Sequence, residues 1–417
     1  MKKNYLKRFF PLILCLTALA FTIFMVKRYN SSTLEHQILP NIFSKQKSFK
    51  NKQKDTLPNG EMRAIWVPFM DLNIKNNCTE TAFKEKFNNI LSVAKRHGIN
   101  TMIVHVRSHG DAMYKSSIYP WSHILTGTQG TDPGFDPLEY MVNATHSEGM
   151  TFQAWVNPLR IQLNNAPEKL SDSNPYNKWR NDGNDSTNAY VVDWEGNKYY
   201  NPAYPEVRSL IINGVAEIIE NYPVDGIHFD DYFYPTENPD VDKTSYDQYL
   251  SSTDTPLNLH EWRMANINSL ISGVYSKIKS ENKNLQFGIS PECNTENNLR
   301  MGADIYSWGS KSGYVDYLCP QMYVNFDNPT LTFDKAFNDW KSIVSNENIN
   351  LYIGLALYKA NSDLDKGTWK KSNNILKTQV EYSRNLGCNG FMLYSWSFLE
   401  NDQTTDEIKN LDNCLIS

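Results

Sequence analysis

Cysteine is scarce in this sequence and follows no metal-ligand spacing. There are six in 417 residues: Cys15, Cys78, Cys293, Cys319, Cys388 and Cys414. Five of them follow the N-terminal apolar run. Their odd number and scatter exclude a disulfide framework. There is no C-x-x-C, no H-E-x-x-H and no glycine-rich phosphate loop, so the motif grounds for a redox dithiol, a zincin or a nucleotide site are missing. A G-x-S-x-G nucleophile turn is absent too. No metal and no cofactor is therefore expected. The mixed composition excludes a collagen-like, wholly disordered or polytopic membrane chain. A formal charge of −5 argues against a general nucleic-acid binder.

Positive charge is concentrated at one end. Residues 1–54 hold eleven Lys/Arg against one acid, Glu35, a net of +10, which leaves −15 for the remainder. Within this arm an 18-residue apolar run, Phe9 to Val26, follows Lys2, Lys3, Lys7 and Arg8 and precedes Lys27 and Arg28. Its length just spans a bilayer, and the charge before it places the N-terminus inside. Ala18-Leu19-Ala20 resembles a cleavage site, but the apolar run continues past it. An uncleaved signal anchor is thus expected in preference to secretion after cleavage near Ala20. Leu14 before Cys15 argues against a lipoprotein. The chain divides into a cytoplasmic stub and anchor (1–28), a basic tether (29–57) and an extracytoplasmic body (58–417). The implied location is the cell membrane, spanned once, with the membrane itself as one partner.

From Glu61 onward, short β-branched or aromatic runs alternate with helical stretches. Strands are expected at 61–67, 99–106, 151–156, 224–230, 285–290, 314–319, 351–356 and 390–394. Helices are expected near 79–97, 136–148, 205–221, 258–282, 332–346, 370–386 and 404–412. Eight strands with helices between most of them predict an α/β fold, a (β/α)8 barrel. Two connections, 157–203 and 232–257, exceed ordinary loops. They follow the third and fourth strands, so they are expected as insertions on the C-terminal rim.

The run DGIHFDDYFYP (225–235) carries the chemistry. Alternation puts Ile227 and Phe229 toward the helices and His228 and Asp230 into the barrel, with Asp231 opening the loop. Adjacent acids at the end of a buried strand need a partner or a function. The second strand offers His105 and Arg107 on its inward face, with Asp111 beyond, and Arg107 is expected to hold a carboxylate ionised. The third offers Trp155, Asn157 and Arg160. The fifth ends at Glu292, the sixth at Gln321 and Tyr323, and the eighth at Tyr394 and Trp396. Carboxylates, amides and aromatics around one rim suit glycoside hydrolysis, in which one acid protonates the leaving oxygen and another attacks or activates water. A non-catalytic glycan-binding barrel is the alternative, and a metal-dependent hydrolase using His105, His109, His228 and Asp230 is a further one.

The strings EMRAIWV, VRSHGDAMY, PWSHILTGTQGTDPGFDPL, AWVNPLRI and DGIHFDDYFYP, in this order, resemble the glycosyl-hydrolase-like family 10. The resemblance runs from Glu61 to Trp396. It implies an exported bacterial barrel glycosidase acting on a cell-envelope glycan. Peptidoglycan strands come first, because a characterised enterobacterial member cleaves strands lacking stem peptides. Carried across by position, its site residues are Arg107, Asp111, Asn157, Arg160, His228, Asp230, Asp231, Tyr232, Gln321 and Tyr323. DGIHFD also looks like the D-G-x-R-x-D strand of α-amylase-type enzymes, whose last Asp is the nucleophile. The acid of the chitinase strand D-G-x-D-x-D-x-E corresponds here to Tyr232. Asp230 is thus the leading catalytic carboxylate, with Asp231 and then Glu292 as candidates for the second.

Overall fold

Eight parallel strands pair in chain order and close on themselves in the computed structural model, which describes residues 60–416. They are β1 (Met62–Val67), β2 (Thr101–Arg107), β3 (Thr151–Val156), β4 (Gly226–Phe229), β5 (Gln286–Ile289), β6 (Tyr317–Leu318), β7 (Asn350–Ala356) and β8 (Gly390–Tyr394). A helix follows each strand: α1 (Glu80–Arg96), α2 (Pro137–Ser147), α3 (Pro205–Asn221), α4 (Leu259–Glu281), α5 (Ile305–Ser310), α6 (Phe333–Ile343), α7 (Ile375–Asn385) and α8 (Thr405–Leu415). This is the expected (β/α)8 barrel. The expected anchor and tether lie outside the described residues. Among the described residues, no helix is long and apolar enough to cross a membrane.

Strand alternation sorts the apolar residues into two cores. Ile65, Val67, Met102, Val104, Phe152, Ile227, Phe229, Phe287 and Ile289 face outward and join the helices. Phe83, Phe87, Ile90, Leu91 and Ala94 of α1 recur at helical spacing and supply that layer from the other side. Each large side chain so buried contributes roughly 1.5–3 kcal/mol. Trp66, Ile103, Trp155, Tyr317, Tyr352 and Met392 face inward and fill the barrel. Gly288 makes that filling possible, because a Cβ there would lie 2.0 Å from the Tyr317 ring, which crosses over β5. Local chemistry sets the helix starts. Thr79 caps α1, Asp136 caps α2 ahead of Pro137, and Asn258 with Glu261 makes a reciprocal capping box on α4.

Both long connections are structured. The first forms a three-stranded antiparallel sheet of Arg160–Gln162, Asn197–Tyr200 and Val191–Trp194, with a helix at Pro175–Arg180. The second forms a helix at Lys243–Ser252, tied to α4 by the buried Arg263–Asp242 pair, with two bonds at 2.9 and 2.5 Å. The strand expected over 314–319 is only two residues long. Asp316 turns its carboxylate to the Phe287 amide, and Pro320 lacks a donor, so pairing resumes only as isolated bridges from Gln321 to Glu292 and Gly354. Between β5 and β6, α5 is preceded by a helix at Thr295–Arg300, where none was expected. The five cysteines among the described residues are all free thiols.

Candidate active site at the barrel mouth

Asp230 follows β4 directly and is 2% exposed. Its Oδ2 accepts from Trp155 Nε1 at 3.2 Å and from Asn157 Nδ2, and its Oδ1 accepts only from the Tyr232 amide at 3.3 Å. Burial pushes the Asp230 carboxyl up, and the Arg160 guanidinium and the three donors oppose that push. Asp231, one residue on, accepts from Gln321 Nε2 at 2.9 Å. Burial, the Asp230 charge and the Glu292 charge together push it up to about 8. Glu292 sits beyond β5, partly exposed, with Oε2 accepting from Asn297 Nδ2 at 2.7 Å. Three carboxylates thus converge at the mouth. One lies among donors beside a cation, and its neighbour is environmentally disposed to hold a proton at neutral pH.

Asn157 also joins a second group. His105 Nε2–H donates to Asn157 Oδ1, which leaves the Asn157 amide nitrogen aimed at Asp230. The His105 ring lies flat on Trp155, with centroids 3.8 Å apart and planes 5° apart. Burial, with Arg160 adding to it, holds His105 well below its ordinary range, so the imidazole is neutral. His105, Trp155 and Asn157 therefore act as one group that braces Asp230 from within the wall. Trp155 is 6% exposed and presents its N–H to the carboxylate, not its face to a sugar.

Four expectations are corrected. His105 and Arg107 do not share a face, because a bulge between them breaks the β2 register against β3. Arg107 turns instead onto the Tyr119 ring, 4.6 Å from its centroid, and donates to the Pro158 carbonyl. The cation beside Asp230 is Arg160, carried by the first rim strand, with its guanidinium 4.3 Å from the centroid of the Tyr232 ring. His228, fully buried, is not at the mouth. Trp66 Nε1 donates to its Nε2 at 3.1 Å, its Nδ1–H donates to Tyr317 Oη at 2.8 Å, and Tyr317 donates on to Gln153 Oε1 at 2.5 Å. This chain forms the barrel floor, and burial lowers His228 to about 3. Asp111 is 1% exposed and is bound by His123 and Gln129, so it is closed to substrate. Trp396 packs into the outer core, with its Nε1 buried, because the chain turns over the rim after Tyr394.

Four tyrosines line the mouth. Tyr232 is 55% exposed above Arg160. Tyr323 and Tyr394 pack together, with centroids 5.9 Å apart, and Tyr358, unforeseen, stands edge-on to both. Burial pushes Tyr394 up to about 12, and charges on Asp71, Asp230 and Asp231 add to that. Asp71 was missed as well. Four residues beyond β1, it has a buried Oδ2 without a partner, and burial pushes it up to about 6. An acid so soon after a barrel strand was the available signal. Nothing local marked Tyr358.

The model of the family described as Glycosyl hydrolase-like 10 matches residues 61–370. Over 352 residues the chain is 33% identical to "Glycosyl hydrolase YngK" of Bacillus subtilis (strain 168), covering 78% of this chain and 66% of that protein, just under two thirds of its length. Over 376 residues it is 30% identical to "Glycosyl hydrolase DigH" of Escherichia coli (strain K12), covering 84% of each. Among solved structures it is similar to the PgaB (BpsB) glycoside hydrolase domain from Bordetella bronchiseptica, with a TM-score of 0.56 and 11% identity over 85% of this chain and 99% of that one. The β-amylase catalytic domain from Paenibacillus polymyxa gives the same TM-score and identity over 85% and 98%. At such identities the likeness shows the barrel fold alone.

Proposed function

This chain belongs to the glycosyl hydrolase-like 10 family, and from that premise we propose that it is a glycoside hydrolase of the cell envelope, held at the membrane by its N-terminal segment and cutting glycan strands, with peptidoglycan first. The observation that carries the reading is the convergence of Asp230, Asp231 and Glu292 in contrasting surroundings at one barrel mouth. Asp230, supplied with donors and faced by Arg160, serves as nucleophile or as the base for water. Asp231, raised to about 8, carries the proton that the leaving oxygen needs. Glu292 raises the proton affinity of Asp231 and is the alternative acid. Tyr232, Tyr323, Tyr358 and Tyr394 offer faces and hydroxyls to pyranose rings.

The location rests on the sequence. An 18-residue apolar run with four cations before it favours a body outside the membrane, where an envelope glycan is the polymer within reach of a 29-residue tether. The test is release of reducing ends from purified peptide-free glycan strands. The purified chain is expected to cut them, and a folded Asp230→Asn variant is expected to bind them uncut. Undiminished cutting by that variant removes Asp230 from its role. Tight binding by the unaltered chain without cutting at any pH from about 4 to about 8, a range bracketing shifted carboxyl values, favours a non-catalytic glycan-binding barrel.

A further inference from the structure

We propose that His109, Asp111 and His123 form a binding site for one divalent transition-metal ion of the zinc type, on the rim beyond β2. One ligand atom from each residue lies within 4.8 Å of the others. Two imidazoles and one carboxylate are the donor set that zinc and its neighbours favour, whereas calcium and magnesium require oxygen throughout. A tetrahedral site with bonds of about 2.0–2.1 Å needs donors about 3.3 Å apart. His123 Nδ1 and Asp111 Oδ2 already lie 2.8 Å apart, and rotation of the imidazoles supplies the rest.

A second observation is independent of that clustering. Asp111 is 1% exposed, yet its Oδ1 is buried with no donor, and no Lys or Arg bridges the carboxylate among the described residues. A buried carboxylate with a vacant lone pair between two imidazoles is costly unless a cation completes it. The surroundings already hold the ligands as metal sites do. Ser108 Oγ bonds His109 Nδ1 at 2.8 Å, which leaves Nε2 for a metal. Gln129 Nε2 donates to Asp111 Oδ2 at 3.0 Å, and Gln129 Oε1 is in turn fixed by Asn174 and the Ser171 amide. Phe69 stands edge-on to His109 and to His105, 5.2 and 5.6 Å away, so the site lies behind the wall that braces Asp230. Its burial excludes a substrate. The ion would fasten the loop after β2 to the turn that starts at His123.

The test uses the full chain, stripped with a chelator and titrated with Zn2+ and, separately, Co2+. One ion per chain, the intense visible absorption of four-coordinate Co2+ and a raised Tm are expected. His109→Gln and His123→Gln should each weaken Zn2+ binding on the order of 100-fold or more. His260→Gln, at an exposed position on α4, should not change it. If the His109 variant does not fold, the His123 variant decides, because His123 is partly exposed on a four-residue helix. Binding well below one ion per chain, or affinity unchanged in the His123 variant, overturns the proposal. Neither outcome bears on whether Asp230 and Asp231 cut glycan.

Discussion

Replacing Asp231 by asparagine should stabilise the protein and inactivate it at once. Burial, with Asp230 and Glu292 adding their charges, pushes this carboxyl from 3.8 to about 8. The folded state then keeps a proton that the unfolded chain has released. Stability therefore falls as pH rises from about 4 to about 8 and is level above that. At pH 7 the interval above 3.8 corresponds to about 4 kcal/mol at 1.36 kcal/mol per unit. Sharing of the proton with Asp230, and the partial opening of Asp231 to water, reduce this to about 2 kcal/mol. Asparagine keeps an oxygen for Gln321 and has no charge to bury, so it recovers that sum near neutrality and almost none at pH 4. A body of about 360 residues has an unfolding entropy near 0.75 kcal/mol/K, so the gain is about 3 °C in Tm at pH 7.5 and under about 1 °C at pH 4. Loss of the proton donor should lower kcat/KM by about 10²–10⁴. Differential scanning calorimetry at the two pH values, beside a reducing-end assay, measures both. A lowered Tm at pH 7.5, or an equal gain at pH 4, refutes the account.

Arg160→Gln removes the cation that favours the ionised form of Asp230, so the acid limb of kcat/KM should move to higher pH, with partial return in Arg160→Lys. An unmoved limb would show that the guanidinium serves only to stack on Tyr232. Tyr232→Ala should leave Tm unchanged, because the ring is 55% exposed, and should raise KM for long glycan more than it lowers kcat. His228→Leu orphans the Trp66 N–H and breaks the floor from β1 to β3. It should cost about 2–3 kcal/mol in urea unfolding, and a cost under about 0.5 kcal/mol would mean the floor chain contributes little.

Much of the fold was legible because alternation is local. Period two in DGIHFD put Asp230 and His228 inward, and the helical spacing of Phe83, Phe87 and Ile90 told α1 apart from a strand. The site was legible to the extent that its residues follow strand ends. The structure brings Asp230, Asp231, Asn157, Gln321 and Tyr394 together around the mouth for that reason. The failures have a different origin. A single bulge after His105 sent Arg107 away from the mouth, and the two-residue alternation rule carries no signal for it. Arg160 took the vacated role because the connection after β3 folds into a sheet whose first strand carries Arg160 to the Tyr232 ring beside Asp230.

The sequence by itself determined the family, the eight strand–helix repeats, the acid pair after β4 and the divided charge of the chain, since each is written in contiguous residues or their spacing. Only the tertiary structure decided which carboxylate is surrounded by donors and which is forced toward its protonated form. It also turned His228 into a floor and brought His123 to Asp111. These outcomes depend on distances between residues up to 164 positions apart in the chain, such as Gln153 and Tyr317, and on burial that exists only once the barrel has closed.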